Sequence, residues 1–195
     1  LEDVEGEFSF TQDDVQTQDE LFLLSEWETR GKDFAGVDAS LTGDELAAAE
    51  QEVWDEWTIN VTGATENEMS WTLNELLETF ESETKPLKIH CGENALGGSL
   101  LGQCMVTGIP LSAIFEAAGA DMNADYVNLL NAGGQAPPRT LNKGIDYSEA
   151  MLVYEIDDER LTWDNGYPVT IWDGAVGGPA NIKQATGFEF TYGEP

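Results

Sequence analysis

The sequence is poor in positively charged side chains. Its 195 residues include 8 Lys and Arg against 38 Asp and Glu, which gives a formal net charge of −30 at pH 7. A surface of this kind repels nucleic acid phosphates and anionic lipid headgroups, so we expect no nucleic acid partner. We interpret the acidity as a solubilising surface; cation-binding acidic loops are the alternative. No D-x-[DN]-x-[DN]-G run supports a calcium loop.

Reactive side chains and long apolar runs are also scarce. One histidine cannot build a zinc site of the common kinds, and two cysteines allow at most one disulfide. No Walker sequence or G-x-S-x-G elbow is present. No run approaches the roughly 18 apolar residues of a spanning helix, so no membrane-spanning segment is predicted. The chain opens on Leu1 without a basic and apolar leader, and we expect an exported protein, extracellular or in the cell envelope.

The histidine and both cysteines lie together in one stretch, Lys85 to Ser112, KPLKIHCGENALGGSLLGQCMVTGIPLS. Its first part alternates apolar and polar positions, so Ile89 and Cys91 share a face of a predicted strand and His90 points to the opposite face. Cys91 then ends the strand on the core side. The residues alone leave two interpretations of Cys91, a buried small hydrophobic residue or a disulfide with Cys104.

The patterning divides the chain into an arm and a domain. Residues 1–55 are acidic and weakly patterned, apart from an apolar ELFLLSEW and a helical TGDELAAAEQEVW, and we expect them to form an arm packed on a domain of residues 56–195. In the domain, Thr72 and Glu75 form a capping-box pattern, and Gly119 ends a second helix. The remaining patterns predict strands at WTINVTG, PLKIHC, DYVNLL, EAMLVYEI, PVTIW and GFEFTY.

The order of these segments resembles the molybdopterin-binding domain of the sulfite oxidase family. WTINVTG is similar to the family's opening W-x-l-x-V-x-G strand, LKIHC to the strand that carries the family cysteine, and TGIPLSAIFEAAGA to its G-x-P-L-x-x-l-l-x-x-A-G helix. GGPANIK is similar to the closing glycine loop and lysine. The resemblance implies an α+β fold of mixed β-sheets with short helices. It also implies an oxidoreductase that uses a molybdenum–molybdopterin cofactor.

The resemblance assigns roles to particular residues. It puts the molybdenum ligand at Cys91, where a soft thiolate suits the metal. It puts Lys183 beside the phosphate of the pterin. It implies no specific catalytic residue. The further candidates for cofactor contact are His90, Arg139, and the glycines Gly177 and Gly178 of the closing loop, while Gly97, Gly98 and Gly102 would let the backbone pass close to a flat ring.

Two departures from the family bear on the substrate. Sulfite-oxidising members carry an arginine shortly after the cysteine, where this chain has Asn94-Ala95-Leu96, and a second family arginine is replaced by Thr170. Without bidentate donors, sulfite is not the expected substrate. Two hypotheses remain: a molybdenum-pterin oxidoreductase domain for an uncharged or cationic substrate, or a cofactor-free extracellular binding module that keeps the fold. The sequence identifies neither the substrate nor a redox partner.

Overall fold

The structure is a computed structural model that describes residues 15–23, 27–91, 98, 100–135, 139–140, 149–174 and 181–193. At His90, Gln135, Arg139 and Thr140 it describes the backbone alone. Four α-helices, two 3-10 turns and twelve strands lie in the described ranges. The helices are α1 (Glu28–Phe34), α2 (Gly43–Glu56), α3 (Leu73–Thr79) and α4 (Leu111–Ala118), and the 3-10 turns are Gln18–Glu20 and Trp163–Asn165.

The strands form two six-stranded sheets. The first has the order β2-β1-β12-β5-β6, with β7 paired to β5, and the second has the order β11-β10-β8-β4-β3, with β9 paired to β8. The strands are β1 (Thr58–Gly63), β2 (Met69–Thr72), β3 (Glu83–His90), β4 (Leu101–Pro110), β5 (Tyr126–Asn131), β6 (Gly134–Gln135), β7 (Arg139–Thr140), β8 (Ala150–Ile156), β9 (Glu159–Arg160), β10 (Thr170–Asp173), β11 (Ile182–Lys183) and β12 (Ala185–Thr191).

The first sheet is mixed, because β1 and β12 run parallel while its other described pairs are antiparallel. Two glycines permit this parallel pair to approach closely. A Cβ on Gly187 would lie 2.4 Å from the carbonyl oxygen of Asn60, and one on Gly63 would lie 2.2 Å from that of Phe190. Gly63 also has a φ of +85°, which L side chains rarely adopt. The predicted α+β class with mixed sheets and short helices is confirmed.

Helix α4 packs against the first sheet and joins the two halves of the core. Its Phe115 ring makes edge-to-face contacts with Phe188 and Phe190 of β12, each at 5.0 Å between centroids. The helix starts after Pro110 and ends at Gly119 in the left-handed conformation, as the sequence predicts. This packing buries apolar side chains on both sheets around one continuous core.

The capping box predicted for α3 is also confirmed. The Thr72 hydroxyl accepts a hydrogen bond from the Glu75 backbone N–H, and the Glu75 carboxylate accepts one from the Thr72 backbone N–H at 2.8 Å. One detail of the last strand differs from the prediction. Tyr192, the last residue of the predicted strand GFEFTY, follows the end of β12 and is exposed, whereas Phe188 and Phe190 are buried.

Two helices of the N-terminal part contact elements that lie later in the chain. The Trp54 indole of α2 donates to the Asn74 side chain of α3 at 3.1 Å, and α1 lies beside the Trp163–Asn165 turn. The expected division of the chain at residue 55 stays a prediction. Among the described residues, no helix combines the length and apolar character needed to cross a membrane.

Candidate cofactor site

Cys91 directly follows β3, where its backbone N–H donates to the carbonyl of Leu100 at 3.0 Å and extends the pairing of β3 with β4. The residue is half-buried and lines a cavity of about 280 Å³. That volume lies near the lower limit of about 300 Å³ for small-molecule pockets. The sulfur-bearing residue is thus beside a cavity rather than enclosed in the apolar core.

The cavity lies where the second sheet, the end of β5 and the N-terminal part of the chain meet. Strand β10 supplies Thr170 and Trp172, and β5 supplies Asn131. The Trp172 indole donates to the carbonyl of Lys88 at 3.0 Å, which ties β10 to the strand that carries the cysteine. Leu21 and Lys183, more than 160 positions apart in the chain, therefore line the same cavity.

Lys183 of β11 is the cationic residue among the described side chains that line the cavity. Its ammonium group donates to the backbone carbonyl of Asp164 and lies 5.8 Å from the centre of the Trp27 ring. Burial lowers the pKa of Lys183, and the nearby Asp164 carboxylate opposes that shift. An anion entering the cavity would favour the charged form of this lysine.

Asn181 offers a second hydrogen-bond donor in the cavity. Its side-chain oxygen accepts from the backbone N–H of Asp173 at 2.9 Å. Its Nδ2 is buried and has no hydrogen-bond acceptor among the residues that the structure describes. A buried unpaired donor is costly unless a ligand satisfies it. The hydroxyl of Thr170, in contrast, already donates to the carbonyl of Ile182 at 3.0 Å.

The two cysteines are in different environments, and both are thiols rather than a disulfide. Cys104 of β4 is fully buried and pairs with Leu87 in the β3–β4 ladder. Burial, with smaller contributions from the Asp157 and Glu20 carboxylates, raises the pKa of Cys104 to about 12. Cys104 is therefore an inert core thiol, whereas Cys91 lies at a cavity.

Within the described part of the chain, no group of three or more His, Cys, Asp or Glu side chains could hold a metal ion. The sulfur of Cys91, the ammonium of Lys183 and the amide of Asn181 around one cavity suit a group with a metal at one end and an anionic end elsewhere.

The comparisons with known proteins agree with this fit. The sequence profile of the oxidoreductase molybdopterin binding domain matches residues 46–194. The chain belongs to this family. The resemblance found from the sequence motifs is therefore confirmed.

Relatives of the domain include nitrate reductases. The chain is 26% identical to nitrate reductase [NADH] of Petunia hybrida over 153 residues, which is 65% of this chain and 17% of that protein. It is 27% identical to nitrate reductase [NADPH] of Leptosphaeria maculans over 144 residues, 63% of this chain and 16% of that protein. This molybdopterin-binding domain thus spans a small part of the length of these curated relatives.

A solved structure shows the same fold. The sulfane dehydrogenase SoxCD from Paracoccus pantotrophus superposes with a TM-score of 0.58 at 18% sequence identity, over 70% of this chain and 38% of that one. At this identity the likeness concerns the fold alone. It agrees with the two sheets and short helices described above.

The residues predicted from the sequence fall into two groups. Cys91 and Lys183, assigned by the resemblance to opposite ends of the cofactor, line the same cavity. The others are not fully described. His90 pairs with Leu101 and Arg139 pairs with Val127 through their backbones, but their side chains lie outside the described part, as do Gly177, Gly178 and Gly97 entirely.

Two features of the cavity were missed by sequence reasoning. Leu21 and Trp27 line it, although they precede the residues that match the family. Gly102, expected to approach a flat ring, lies in β4 opposite Ile89, and a Cβ there would be 2.6 Å from the Leu21 side chain. The space at Gly102 is therefore used by Leu21. The apolar ELFLLSEW segment was the available signal for these contacts.

Proposed function

We propose that this domain binds molybdenum–molybdopterin and acts as an oxidoreductase, with Cys91 as the thiolate ligand and Lys183 near the anionic end of the cofactor. The observation that supports the proposal is that Cys91 and Lys183 line one cavity although they come from distant parts of the chain. A cofactor-free module would have no need to keep a thiol, a cation and an unpaired donor together.

The side chains have complementary parts in this proposal. The bound cofactor would supply the two-electron redox chemistry. Cys91 would fix the metal, and the Nδ2 of Asn181, which has no acceptor among the described residues, would donate to the cofactor. The Trp172 indole would contribute an apolar wall that keeps water from the reacting centre.

We further propose an uncharged or cationic substrate. Nitrate and sulfite are anions, and their recognition calls for cationic, preferably bidentate, donors. The lining includes Lys183, whose ammonium already donates to a carbonyl, and Thr170, whose hydroxyl is engaged as well. The net charge of −30 also opposes the approach of anions.

Cofactor content tests the proposal directly. The protein is purified from a host that makes the molybdenum pterin, then molybdenum is measured by elemental analysis and the oxidised pterin by fluorescence. We expect about one equivalent of each in the wild type, as one cavity with one thiolate ligand requires. Cys91→Ser should lose the molybdenum, and the control Cys104→Ala should retain it.

The same measurement separates the two hypotheses of the sequence analysis. Wild-type protein without metal and pterin, from a host shown to load another molybdenum-pterin enzyme, would favour the cofactor-free module. Equal molybdenum in Cys91→Ser and wild type would refute the ligand assignment while leaving cofactor binding intact. Steady-state assays with anionic and uncharged oxidisable compounds on the loaded protein then test the substrate class.

A further inference from the structure

We propose that the N-terminal part of the chain, residues 15–23 and 27–34, is a fixed wall of the cofactor cavity, and that Trp27 contacts the bound cofactor. We call these residues the docked arm. The inference rests on the proposed function for the identity of the ligand. The wall itself rests on three sets of contacts between the docked arm and the domain.

The first set holds the indole of Trp27. Its Nε1 donates to the side-chain oxygen of Gln184 at 3.2 Å, and the Gln184 amide nitrogen donates to the Gly31 carbonyl at 2.9 Å. Gln184 is fully buried and has a φ of +53°. A left-handed backbone is unfavourable for a residue with a Cβ and indicates that the surrounding contacts fix it. In this case both polar ends of the side chain bind the docked arm.

Asp164 holds the same segment from the other side. One carboxylate oxygen accepts from the backbone N–H of Trp27 at 2.6 Å and from that of Glu28 at 2.8 Å. These are charge-assisted bonds, which are stronger than bonds between neutral groups. The backbone carbonyl of Asp164 accepts from Lys183, so one residue positions both the docked arm and the cavity lysine.

The second set consists of glycines that make room for the docked arm. A Cβ on Gly102 would lie 2.6 Å from Cδ1 of Leu21 and 2.8 Å from the side-chain oxygen of Gln16. A Cβ on Gly133 would lie 2.8 Å from the ring of Phe34. Contacts below 3.0 Å force a shift, so an alanine at either glycine would disturb the docked arm. Both glycines belong to the residues that match the family.

The third set buries the amide of Gln18. Its oxygen accepts from the Thr162 backbone N–H at 2.7 Å and from the Asn165 side chain at 3.2 Å, and its nitrogen donates to the Arg160 carbonyl at 3.2 Å. Asn165 itself lines the cavity. A buried amide that is hydrogen-bonded at both its oxygen and its nitrogen favours one arrangement, because moving the segment would leave several polar groups without partners.

These contacts give Trp27 a function at the cofactor. Its half-buried ring lines the cavity beside Lys183, and the guanidinium of Arg30 lies 5.1 Å from the ring centre. A rigid indole flanked by two cations suits a flat ring with an anionic substituent. Trp27 therefore covers the cofactor and limits access of solvent to Cys91.

Thiol alkylation of the apoprotein tests the wall without any cofactor. N-ethylmaleimide modification of Cys91 is followed by mass spectrometry in wild type, Trp27→Phe and Trp27→Ala, and modification of Cys104 reports unfolding. Trp27→Phe loses the hydrogen bond to Gln184. We expect Cys91 to react about fivefold faster, because the loss of one net hydrogen bond raises the opening constant of the docked arm by about that factor. Trp27→Ala should react faster still. Trp57→Ala, another half-buried indole with a bonded N–H, should leave Cys91 unchanged.

Release of pterin from the loaded proteins completes the test. The dissociation rate, followed by pterin fluorescence after dilution, should rise in both Trp27 variants and stay at the wild-type value in Trp57→Ala. Unchanged Cys91 alkylation and unchanged pterin release in Trp27→Phe would overturn the wall while the proposed function stands. Wild type that binds no pterin would instead overturn the proposed function. If Cys104 is also modified in Trp27→Ala, that variant has unfolded, and the result for Trp27→Phe is used to test the wall.

Discussion

Gly102→Ala tests the docked arm most directly, because it adds one methyl group where the Leu21 side chain packs. The added Cβ would lie 2.6 Å from Leu21 Cδ1 and 2.8 Å from the Gln16 side chain, while Ile89 Cγ2 at 3.7 Å is an ordinary contact. Gly102 is not among the residues with positive φ, so its strand backbone accepts alanine without strain. The substitution should therefore displace Leu21 and leave β4 in place.

The size of the effect follows from the burial of Leu21, which is only 7% exposed. Full burial of a leucine side chain contributes about 2 kcal/mol. The atoms that the new Cβ meets are the ends of the flexible Leu21 and Gln16 side chains, so Leu21 can move and keep part of its burial. We expect the docked arm to lose about 1 kcal/mol of its docking free energy, which is roughly a fivefold rise in its opening constant.

Hydrogen exchange of the Gln16 amide measures this opening. That N–H donates to the Gln103 carbonyl at 2.7 Å and exchanges when the docked arm lifts. A double-mutant cycle with Leu21→Ala isolates the collision, because the double variant should lose clearly less than the sum of the two single losses. Wild-type exchange at Gln16 in Gly102→Ala, or strict additivity in the cycle, would refute the reasoning.

Three further substitutions test other parts of the fold. Thr72→Ala removes the hydroxyl from the capping box and should cost about 1 kcal/mol in denaturant unfolding, and NMR titration should show the lowered pKa of Glu75 rising only in part, because the backbone N–H of residue 72, the larger cause of the lowering, remains. Gly108→Ala would put a Cβ 2.5 Å from the backbone oxygen of Leu152; we expect a loss of about 1–3 kcal/mol, and an unchanged unfolding midpoint would contradict it. Burial raises the pKa of Cys104 from 9.0 to about 12, so the unfolded chain ionises first and stability should decline as pH rises through that range; a decline equally steep in Cys104→Ala would speak against this origin.

Local sequence signals predicted the elements that depend on local contacts. Thr72 with Glu75, and Pro110 with Gly119, set the ends of α3 and α4 through hydrogen bonds within a few residues. Strand β4 was missed, because its residues mix glycine with polar side chains and its extended form depends on pairing with β3 and β8. The parallel β1–β12 pair likewise has no local pattern that predicts it.

The site was predictable as far as the family motifs extend. Cys91 and Lys183 stand at positions that the family motifs mark, and both line the cavity. Leu21 and Trp27 lie before the matched residues, and their contacts join them to residues more than 80 positions later. Asn181 carries no motif role, and its unpaired Nδ2 emerges only from the folded arrangement. The contacts of Leu21 and Trp27 and the environment of the Asn181 side chain follow no regular sequence spacing, so no sequence pattern predicts them.

The adjacency of β1 and β12 determines when this molecule can finish folding. The Trp57 indole donates to the carbonyl of Ala185, 128 residues later, so the middle of the first sheet can be completed only after β12 has been synthesised. Until then β1 has an open edge, and pairing of such distant segments is slow. We expect the nascent domain to remain incompletely folded until β12 has left the ribosome, with the cysteine-bearing cavity assembled after that point.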